Sequence, residues 1–405
     1  MKRKIISIGL SLVLVLGGFM GIEQYKMKER KLTIVDESTQ VSASAAQNEL
    51  KIKAKAAVLI DGSSGQVLYE QNAHKHLPPA SVTKVMTLLL VMEGCESGKI
   101  SYDDQVTISE RAAGMGGSQM YMEQGEQHTV EELLKGVIMV SANDGCVALA
   151  EHLHGTVEDF VSAMNRKASE LELKDSHFVN TNGLPVANHY SCAYDIGIIS
   201  KELLQYEKAH EWFSAWQDEI KVGLPGKQKP FTLTNTNKLI RRYNGAIGIK
   251  TGFTDDAGYC LSGAAKRDGT MMIAVVLGCK TSDIRFSETA RLLDYGFANY
   301  ETTSFAKKGQ CMETASLEKA TEKEVRAMTD RKIALTVKKG EKDHVKIETK
   351  LDETLKLPIK RGETIGKAVV YDQKKAVAEY PLVADRSAEK AGYWSIYIQM
   401  MKNLN

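Results

Sequence analysis

The sequence predicts an α+β fold in which strands at both ends of one domain share an antiparallel sheet around a helical cluster. The first observation is a hairpin pattern, "AKAAVLID" and "QVLYEQN" joined by the turn "GSSG". The second is another strand pair in "AGYCLSGAAKRDGTMMIAVVLGC", with "KRDG" as its turn. The third is the helical composition of the stretch between them. Strands that flank helices in this order suit one α+β domain.

The helices follow from apolar spacing. A run from Ser81 to Glu93 is predicted as a helix that ends at Gly94. Residues 129–153 are helical in composition, with a break from Ser141 to Gly145. Amphipathic helices are predicted at "VEDFVSAMNRKASEL" and, closing the domain, at "SETARLLDYGFANY".

The N-terminus is typical of export. "MKRK" is a positive segment, and Ile5 to Ile22 is apolar without a charge. Residues 1–22 are therefore predicted to be a signal peptide, with an uncleaved anchor as the alternative. The polar residues 23–50 are predicted to be a linker, and the small residues "ASA" at Ala43 to Ala45 leave the cleavage site open. Both alternatives place the bulk of the chain outside the cytoplasm.

The residue pattern changes after about residue 300. Residues 51–300 form the predicted α+β domain, and alternating charged and aliphatic residues over 301–387 predict a small β-rich domain. Residues 388–405 are predicted to be an amphipathic helix on a membrane surface, or a final helix packed on its own domain. One face of that helix would carry Tyr393, Trp394, Tyr397, Met400 and Met401.

Composition excludes several classes of function. A net charge of +2 over 405 residues, without a basic run, does not favour nucleic acid as a partner. The six cysteines are scattered singly, so disulfides are permitted but small buried hydrophobes are the commoner case. No cofactor or metal site is expected, because His74/His76 and His152/His154 would face apart on a helix and no H-E-x-x-H is present.

The pattern Ser-x-x-Lys occurs four times, and one copy is followed by two further motifs that fit it. Ser81/Lys84 in "PPASVTKVMTLLL" is followed by "SAN" (Ser141 to Asn143) and "KTG" (Lys250 to Gly252), whereas the copies starting at Ser304, Ser316 and Ser387 are not. Three such motifs in order are typical of penicillin-binding proteins and class A β-lactamases.

The chemistry explains the residue types. Residues three apart on a helix share a face, so the Lys84 amine can take a proton from the Ser81 hydroxyl. A lysine is a base only if its pKa falls, either by burial away from water or by a nearby cation, for which Lys250 is the candidate. Ser141 is expected to relay a proton to the leaving group, and Asn143 to bind a substrate amide. The backbone N–H of Ser81, at a helix start, suits one half of an oxyanion hole.

The third motif indicates substrate binding. "GIKTGFT" begins a strand region, and Gly252 permits close approach of another backbone, as an edge strand binding an extended peptide requires. Lys250 and Thr251 would then face a carboxylate.

With these motifs, the chain resembles the low-molecular-mass penicillin-binding proteins, the serine-type D-alanyl-D-alanine carboxypeptidases. The resemblance covers nearly everything after the export segment. Its further stretches are "AAVLIDGSSGQVLYEQNAHKHLPPASVTK", "GGSQMYMEQGE", "NTNGLPVANHYSCAYD", "NGAIGIKTGFT", "IRFSETARLLDYGF" and, for the β domain, "LPIKRGETIGKAVVY". It implies a penicillin-recognising transpeptidase/β-lactamase-like catalytic domain.

The resemblance also implies a reaction. Ser81 would attack the penultimate carbonyl of a peptidoglycan stem peptide ending in D-Ala-D-Ala, D-alanine would leave, and water would release the shortened peptide. Phe253 would supply the second oxyanion N–H, and Arg285 would help to hold the terminal carboxylate. β-Lactams would be covalent inhibitors, and the outer face of the cytoplasmic membrane the site of attachment.

Two residues depart from the family pattern. Phe253 stands where some relatives carry histidine, which leaves the deacylation rate open, and Cys192 stands where a small hydroxyl residue is expected. Three alternatives stay open: a D,D-endopeptidase, a β-lactamase (although no Glu-x-x-Leu-Asn follows Asn143), and a non-catalytic penicillin-binding scaffold.

Overall fold

A computed structural model gives the fold, and it describes residues 50–352, 354–372 and 374–392. The predicted export segment and almost all of the predicted linker lie outside this part. So do the tail residues Tyr393, Trp394, Tyr397, Met400 and Met401. Within the described residues, no helix is both long and apolar enough to cross a membrane.

The first part of the chain, through residue 299, interleaves strands and helices. Its strands are β1 (Ala56–Asp61), β2 (Val67–Gln71), β3 (Gln105–Thr107), β4 (Gln127–Thr129), β5 (Gln217–Val222), β6 (Lys229–Thr234), β7 (Ala246–Thr254), β8 (Gly258–Arg267) and β9 (Thr270–Cys279). Its helices are α1 (Lys84–Glu96), α2 (Glu110–Ala113), α3 (Val130–Met139), α4 (Asn143–His154), α5 (Val157–Glu170), α6 (Ala193–Leu203), α7 (Glu207–Ser214), α8 (Leu239–Arg242) and α9 (Ser282–Asn299). A 3₁₀ turn over Ala80–Thr83 leads directly into α1.

The central sheet confirms the predicted sharing of terminal strands. Its order is β2-β1-β9-β8-β7, all antiparallel, so the early hairpin pairs with the late one through β1 and β9. β7, which carries the Lys-Thr-Gly motif, lies at the edge of this sheet. Among the described residues, no strand pairs with the outer edge of β7, as the sequence predicted.

Helix α1 forms the centre of the helical cluster. Nearly all of its residues are buried, because the run "VMTLLLVM" is apolar on every side. The predicted end of this helix at Gly94 is wrong. The helix continues to Glu96, since Gly94 packs against Leu153 and no chain reversal is needed there. The predicted break near Ser141 is confirmed, and it separates α3 from α4.

The second part is a β domain, as predicted. Its strands are β10 (Tyr300–Ala306), β11 (Cys311–Ser316), β12 (Glu324–Thr329), β13 (Ile333–Lys338), β14 (Val345–Leu351), β15 (Thr364–Asp372) and β16 (Lys375–Ala384), with a 3₁₀ turn at Lys342–His344. They form a five-stranded sheet, β11-β12-β16-β15-β14, and a separate β10-β13 pair. Asp61, buried at the end of β1, accepts a 2.7 Å hydrogen bond from the Thr336 hydroxyl of β13, which joins this domain to the first.

The described start of the predicted tail helix is not helical. Ala388 pairs with Ile359 and Lys390 pairs with Ala320 in isolated antiparallel bridges, so residues 388–392 are an extended segment of the β domain. The predicted helix boundary at residue 388 is therefore corrected, because these backbone groups find partners in neighbouring segments.

All six cysteines fall in the described part and all are free. Cys146, Cys192, Cys260 and Cys279 are buried, whereas Cys311 is exposed.

Candidate active site

The Ser81 turn begins the site. Ala80, just before Ser81, has a left-handed φ of 49°, which is uncommon for a residue with a Cβ, and the 3₁₀ turn follows at once. In such a turn residues i and i+3 lie nearly in line, so the half-buried Ser81 and the first residue of α1, Lys84, face the same side. The Lys84 Nζ atom donates to Ser81 Oγ at 2.9 Å.

The Lys84 ammonium has three donors and three acceptors. Besides Ser81, Nζ donates to Asn143 Oδ1 at 2.7 Å and to the carbonyl oxygen of Asn182 at 2.8 Å. The side chain is fully buried. Three elements that are far apart in sequence therefore fix the amine against the serine.

Asn143 is itself fixed at the start of α4. Its Nδ2 donates to the carbonyl oxygen of Gly116 at 2.7 Å, and its backbone N–H donates to the carbonyl oxygen of Ser118 at 2.7 Å. Gly117 leaves space for this amide group, because a Cβ at that position would lie 2.8 Å from Asn143 Nδ2. The Asn143 amide oxygen thus faces Lys84, and the loop before α3 holds the amide nitrogen.

Ser141 lies in the break between α3 and α4. Its φ of 63° is left-handed, and its side chain is only 5% exposed. Among the described residues, its Oγ atom has no hydrogen-bond partner. A buried hydroxyl without a partner costs free energy, and such groups are common where a substrate supplies the missing contact.

The edge strand β7 packs against the Ser81 turn through Gly252. A Cβ on Gly252 would lie 3.0 Å from the backbone nitrogens of both Ser81 and Val82. The close backbone approach predicted for this glycine is therefore with the turn of the nucleophile. Lys250, next but one along the strand, is fully buried, and the Thr251 hydroxyl lies 2.8 Å from that of Thr236.

The two buried lysines both have lowered pKa values. Burial lowers the pKa of Lys84 to about 8, while Asp144 and Cys146 oppose the change. Burial and the repulsion of Lys84 hold the pKa of Lys250 well below its ordinary value. The sequence left two causes open for the lowered pKa of Lys84, burial and the charge of Lys250. The structure attributes it to burial, and the repulsion falls mainly on Lys250.

Arg285 is buried behind β7 rather than exposed. Its Nη1 donates to the Gly252 carbonyl oxygen at 3.0 Å, and its guanidinium lies 5.3 Å from the centre of the Tyr259 ring. Its Nε atom is buried and has no partner among the described residues. The Phe253 side chain is 48% exposed and its ring centre lies 4.3 Å from that of Tyr259. The structure therefore brings all nine predicted site residues to one region, around the Ser81 turn and β7.

Two families of known proteins match this chain. The family model described as "D-alanyl-D-alanine carboxypeptidase" matches residues 40–281, and that described as "Penicillin-binding protein 5, C-terminal domain" matches residues 300–390. The chain belongs to the D-alanyl-D-alanine carboxypeptidase family. The membership confirms the predicted family and the enzyme class, a serine-type carboxypeptidase.

Individual relatives support the same family membership. The chain is 42% identical over 347 residues to the D-alanyl-D-alanine carboxypeptidase DacF of Bacillus subtilis, covering 85% of this chain and 88% of the relative. It is 30% identical to DacA of Escherichia coli, covering 87% and 88%. The solved penicillin-binding protein 5 of Haemophilus influenzae superimposes with a TM-score of 0.69 at 32% identity, covering 84% of this chain and 98% of that one. The predicted fold class is thereby confirmed.

The other Ser-x-x-Lys copies of the carboxypeptidase lie elsewhere. Ser304 is in β10, Ser316 ends β11, and Ser387 follows β16. None of these three serines is on a helix, so the helical i, i+3 geometry that joins Ser81 to Lys84 is absent from them.

Sequence reasoning missed several supporting groups of this site. The Asn182 and Gly116 carbonyl oxygens are backbone acceptors, which carry no residue-type signal. Asp144, buried directly after Asn143, accepts from the backbone N–H of Met120 at 2.9 Å, and burial raises its pKa. The adjacent acidic residue in "SAND" was the only available signal. His189 Nε2 contacts the Thr83 hydroxyl at 2.8 Å and so supports the turn after Ser81.

Proposed function

We propose that the chain removes the terminal D-alanine from peptidoglycan stem pentapeptides through an acyl-enzyme on Ser81, and that penicillins acylate the same serine. The observation that carries the proposal is the 2.9 Å contact between Lys84 Nζ and Ser81 Oγ, at a fully buried lysine whose pKa is about 8. A lysine with this pKa is partly neutral near pH 7 and can act as a general base.

In the proposed reaction, neutral Lys84 takes the proton of Ser81 Oγ as that oxygen attacks the penultimate carbonyl carbon. The negative charge that develops on the carbonyl oxygen is held by the backbone N–H groups of Ser81 and Phe253. Ser141, whose hydroxyl is otherwise unpaired, relays the proton to the leaving D-alanine nitrogen. Water then attacks the ester and frees Ser81.

Substrate binding is proposed to set the protonation of the two lysines. Two buried ammonium groups repel each other, so the pair holds one proton more readily than two. The substrate carboxylate, bound by Lys250, Thr251 and Arg285, draws that proton to Lys250. Lys84 is then left neutral beside Ser81. Binding of the correct substrate would thereby create the base.

The peptide itself is proposed to lie along the free edge of β7. Extended peptides add to open sheet edges through main-chain hydrogen bonds. Asn143, whose side chain is fixed by Lys84 and Gly116, would hydrogen-bond a substrate amide. We further propose that the chain is exported and attached to the outer face of the cytoplasmic membrane, as its N-terminal and C-terminal segments predict.

The test incubates the purified protein with a pentapeptide ending in D-Ala-D-Ala and, separately, with a labelled penicillin. We expect D-alanine release and a stable labelled adduct in the wild type, and neither in Ser81→Ala. Ser304→Ala removes a serine of the same motif outside the site, and it should behave as the wild type.

Three results contradict the proposal in different ways. A stable penicillin adduct without any peptide cleavage indicates a non-catalytic penicillin-binding scaffold. An adduct that turns over within seconds without peptide cleavage indicates a β-lactamase. Cleavage of cross-linked muropeptides alone, with the pentapeptide untouched, indicates an endopeptidase.

A further inference from the structure

Two histidines outside the active site converge on one carboxylate. His74 Nδ1 lies 2.9 Å from Asp175 Oδ2, and His76 Nε2 lies 2.9 Å from Asp175 Oδ1. The sequence argument that these histidines face apart assumed a helix. That assumption is wrong, because the segment between β2 and the Ser81 turn is not helical. In an irregular segment both rings can reach the same partner.

A cysteine completes the group. A ring nitrogen of His74, a carboxylate oxygen of Asp175 and the Sγ atom of Cys192 all lie within 4.8 Å of one another. Within the described residues, no other group of three or more histidine, cysteine, aspartate or glutamate side chains comes together with this spacing. Nothing in the proposed reaction uses these residues.

We propose that His74, Asp175 and Cys192 bind a divalent transition-metal ion, with zinc as the preferred ion. Imidazole nitrogen, thiolate sulfur and carboxylate oxygen together form the donor set that zinc prefers, whereas magnesium and calcium prefer oxygen alone. His76 bonds the second oxygen of Asp175 and so orients the carboxylate, as partners of ligating carboxylates do in metal sites.

The spacing is compatible with tetrahedral zinc. Ligand atoms around such an ion are about 3.3 to 3.6 Å apart. His74 Nδ1 and Asp175 Oδ2, which are 2.9 Å apart, would separate slightly. The three ligand atoms all lie within 4.8 Å of one another, so the widest pair would close by at most roughly 1.5 Å. The His74 side chain is 58% exposed whereas Cys192 is fully buried, so an ion would approach from the His74 side. Its ring lies 4.9 Å from that of Tyr194, and that of His76 stacks on Tyr190 at 4.4 Å. A solvent molecule would complete four-coordination.

Charge balance also suits a dication. The Asp175 carboxylate and a Cys192 thiolate carry two negative charges together, which neutralise one divalent ion. Binding releases the thiol proton of Cys192 to solvent, and the sulfur–metal bond replaces the sulfur–hydrogen bond. Cys192 is the N-cap of α6, and the backbone N–H of Asp195 donates to its Sγ atom at 3.3 Å. That donor only partly offsets burial and the Asp195 carboxylate, which raise the pKa of the Cys192 thiol.

The ion would join two segments that both support the active site. Leu77 and Ser191 already exchange backbone hydrogen bonds of 2.9 and 3.1 Å between these segments. The first segment continues through two prolines to Ser81. The second precedes Cys192 and contains Asn182, whose carbonyl oxygen binds Lys84. Bound there, the ion would hold these two segments together next to the turn that carries Ser81.

The experiment titrates the purified full chain, without a histidine tag, with Co²⁺ and Zn²⁺. Co²⁺ should give a sulfur-to-cobalt charge-transfer band that Zn²⁺ removes, and Zn²⁺ should raise the midpoint of thermal unfolding. In Cys192→Ser the band should vanish and the zinc affinity should fall at least about tenfold. Serine is a good N-cap, so this variant keeps α6. Cys311→Ser removes an exposed thiol elsewhere and should leave both signals unchanged.

A second variant tests the imidazole. His74→Gln should retain the fold, weaken zinc binding by about tenfold or more, and shift the cobalt spectrum. Three outcomes overturn the proposal: no cobalt band in the wild type, a band that persists in Cys192→Ser, or a band lost in Cys311→Ser. A rise in the unfolding midpoint that is equal in the wild type and Cys192→Ser also overturns it, and it leaves His74, His76 and Asp175 as a hydrogen-bonded cluster only.

Discussion

Arg285 Nη1 donates a 3.0 Å hydrogen bond to the carbonyl oxygen of Gly252 and so fixes helix α9 to the strand that carries the Lys-Thr-Gly motif. The same nitrogen reaches the Cys260 carbonyl oxygen at 3.5 Å, on the neighbouring strand. The guanidinium thus holds β7 from behind, and its Nε atom has no partner among the described residues. An arginine in this place can both position the strand and add positive charge behind the proposed carboxylate site.

Arg285→Lys tests that double role. Lysine keeps the charge but lacks the planar guanidinium that places Nη1 at both carbonyl oxygens, so these hydrogen bonds are weakened or lost. Losing a hydrogen bond from a charged group predicts a fall in kcat/KM of about 10- to 100-fold, mainly through KM for the pentapeptide. Steady-state kinetics measures it. Arg242→Lys, at an exposed arginine, is the matched control, and an unchanged KM in Arg285→Lys would falsify the role.

Gly252→Ala should separate β7 from the Ser81 turn. The new Cβ would press on the backbone nitrogens of Ser81 and Val82, and both neighbours are backbone atoms that cannot rotate away. A displacement of a few tenths of an ångström there predicts an acylation rate about 10- to 100-fold lower. Labelled-penicillin kinetics measures the rate. Gly392→Ala, where a Cβ has open space, is the control. Wild-type acylation by Gly252→Ala would show that the close approach has no catalytic role.

The rate of acylation should depend on pH through Lys84. The lysine is a base only when neutral, and its pKa is lowered to about 8. The rate should therefore rise about tenfold per pH unit below this value and level off above it. Because Lys84 and Lys250 interact, the apparent value belongs to the pair.

A variant sharpens the pH test. Asn143→Ala removes an acceptor that favours the charged form of Lys84, so the apparent pKa should fall and the profile should shift to lower pH. Asn299→Ala, at an exposed asparagine, should leave the profile in place. A profile that is flat across pH 8 in the wild type contradicts the assignment of Lys84 as base.

Deleting residues 393–405 should release the protein from membranes. Residues 388–392 pair with the β domain, so a truncation after Gly392 keeps those bridges. In a chain that also lacks residues 1–22, the protein should move from the membrane fraction to the soluble fraction. A matched variant that keeps the full-length tail, but has Tyr393, Trp394 and Tyr397 changed to serine, should also move to the soluble fraction, because it loses the aromatic face. No redistribution in either variant would count against membrane attachment by the tail.

The site could be predicted from the sequence because its chemistry depends on side chains at fixed spacing. Ser81 and Lys84 are three residues apart, and the motifs at Asn143 and Lys250 follow in order, so residue types alone identified them. Backbone acceptors such as the Asn182 carbonyl carry no such signal. The lowered pKa of Lys84 was predicted with burial and a nearby cation as its candidate causes, but which of the two dominates depends on packing that a linear pattern does not show.

The fold was predictable where periodicity was strong and less so at boundaries. The β1–β2 and β8–β9 hairpins follow from alternation and turn residues. The end of α1 was misplaced because Gly94 is tolerated inside a helix when its neighbours are buried. His74 and His76 were misjudged for a related reason: the geometry of an i, i+2 pair depends on the local backbone, and Pro78 and Pro79 end any helical interpretation just after them.

The hydrogen bond from Thr336 to Asp61 has a consequence for how the protein unfolds. The Asp61 carboxylate is buried, and its other oxygen is bonded by Ser64, so the β domain supplies a contact that the first domain cannot replace from its own residues. Leaving that oxygen without a partner would cost about 1–3 kcal/mol. The two domains are thus thermodynamically coupled, and heating should melt them in one cooperative transition, whereas a chain ending near residue 300 should melt at a lower temperature.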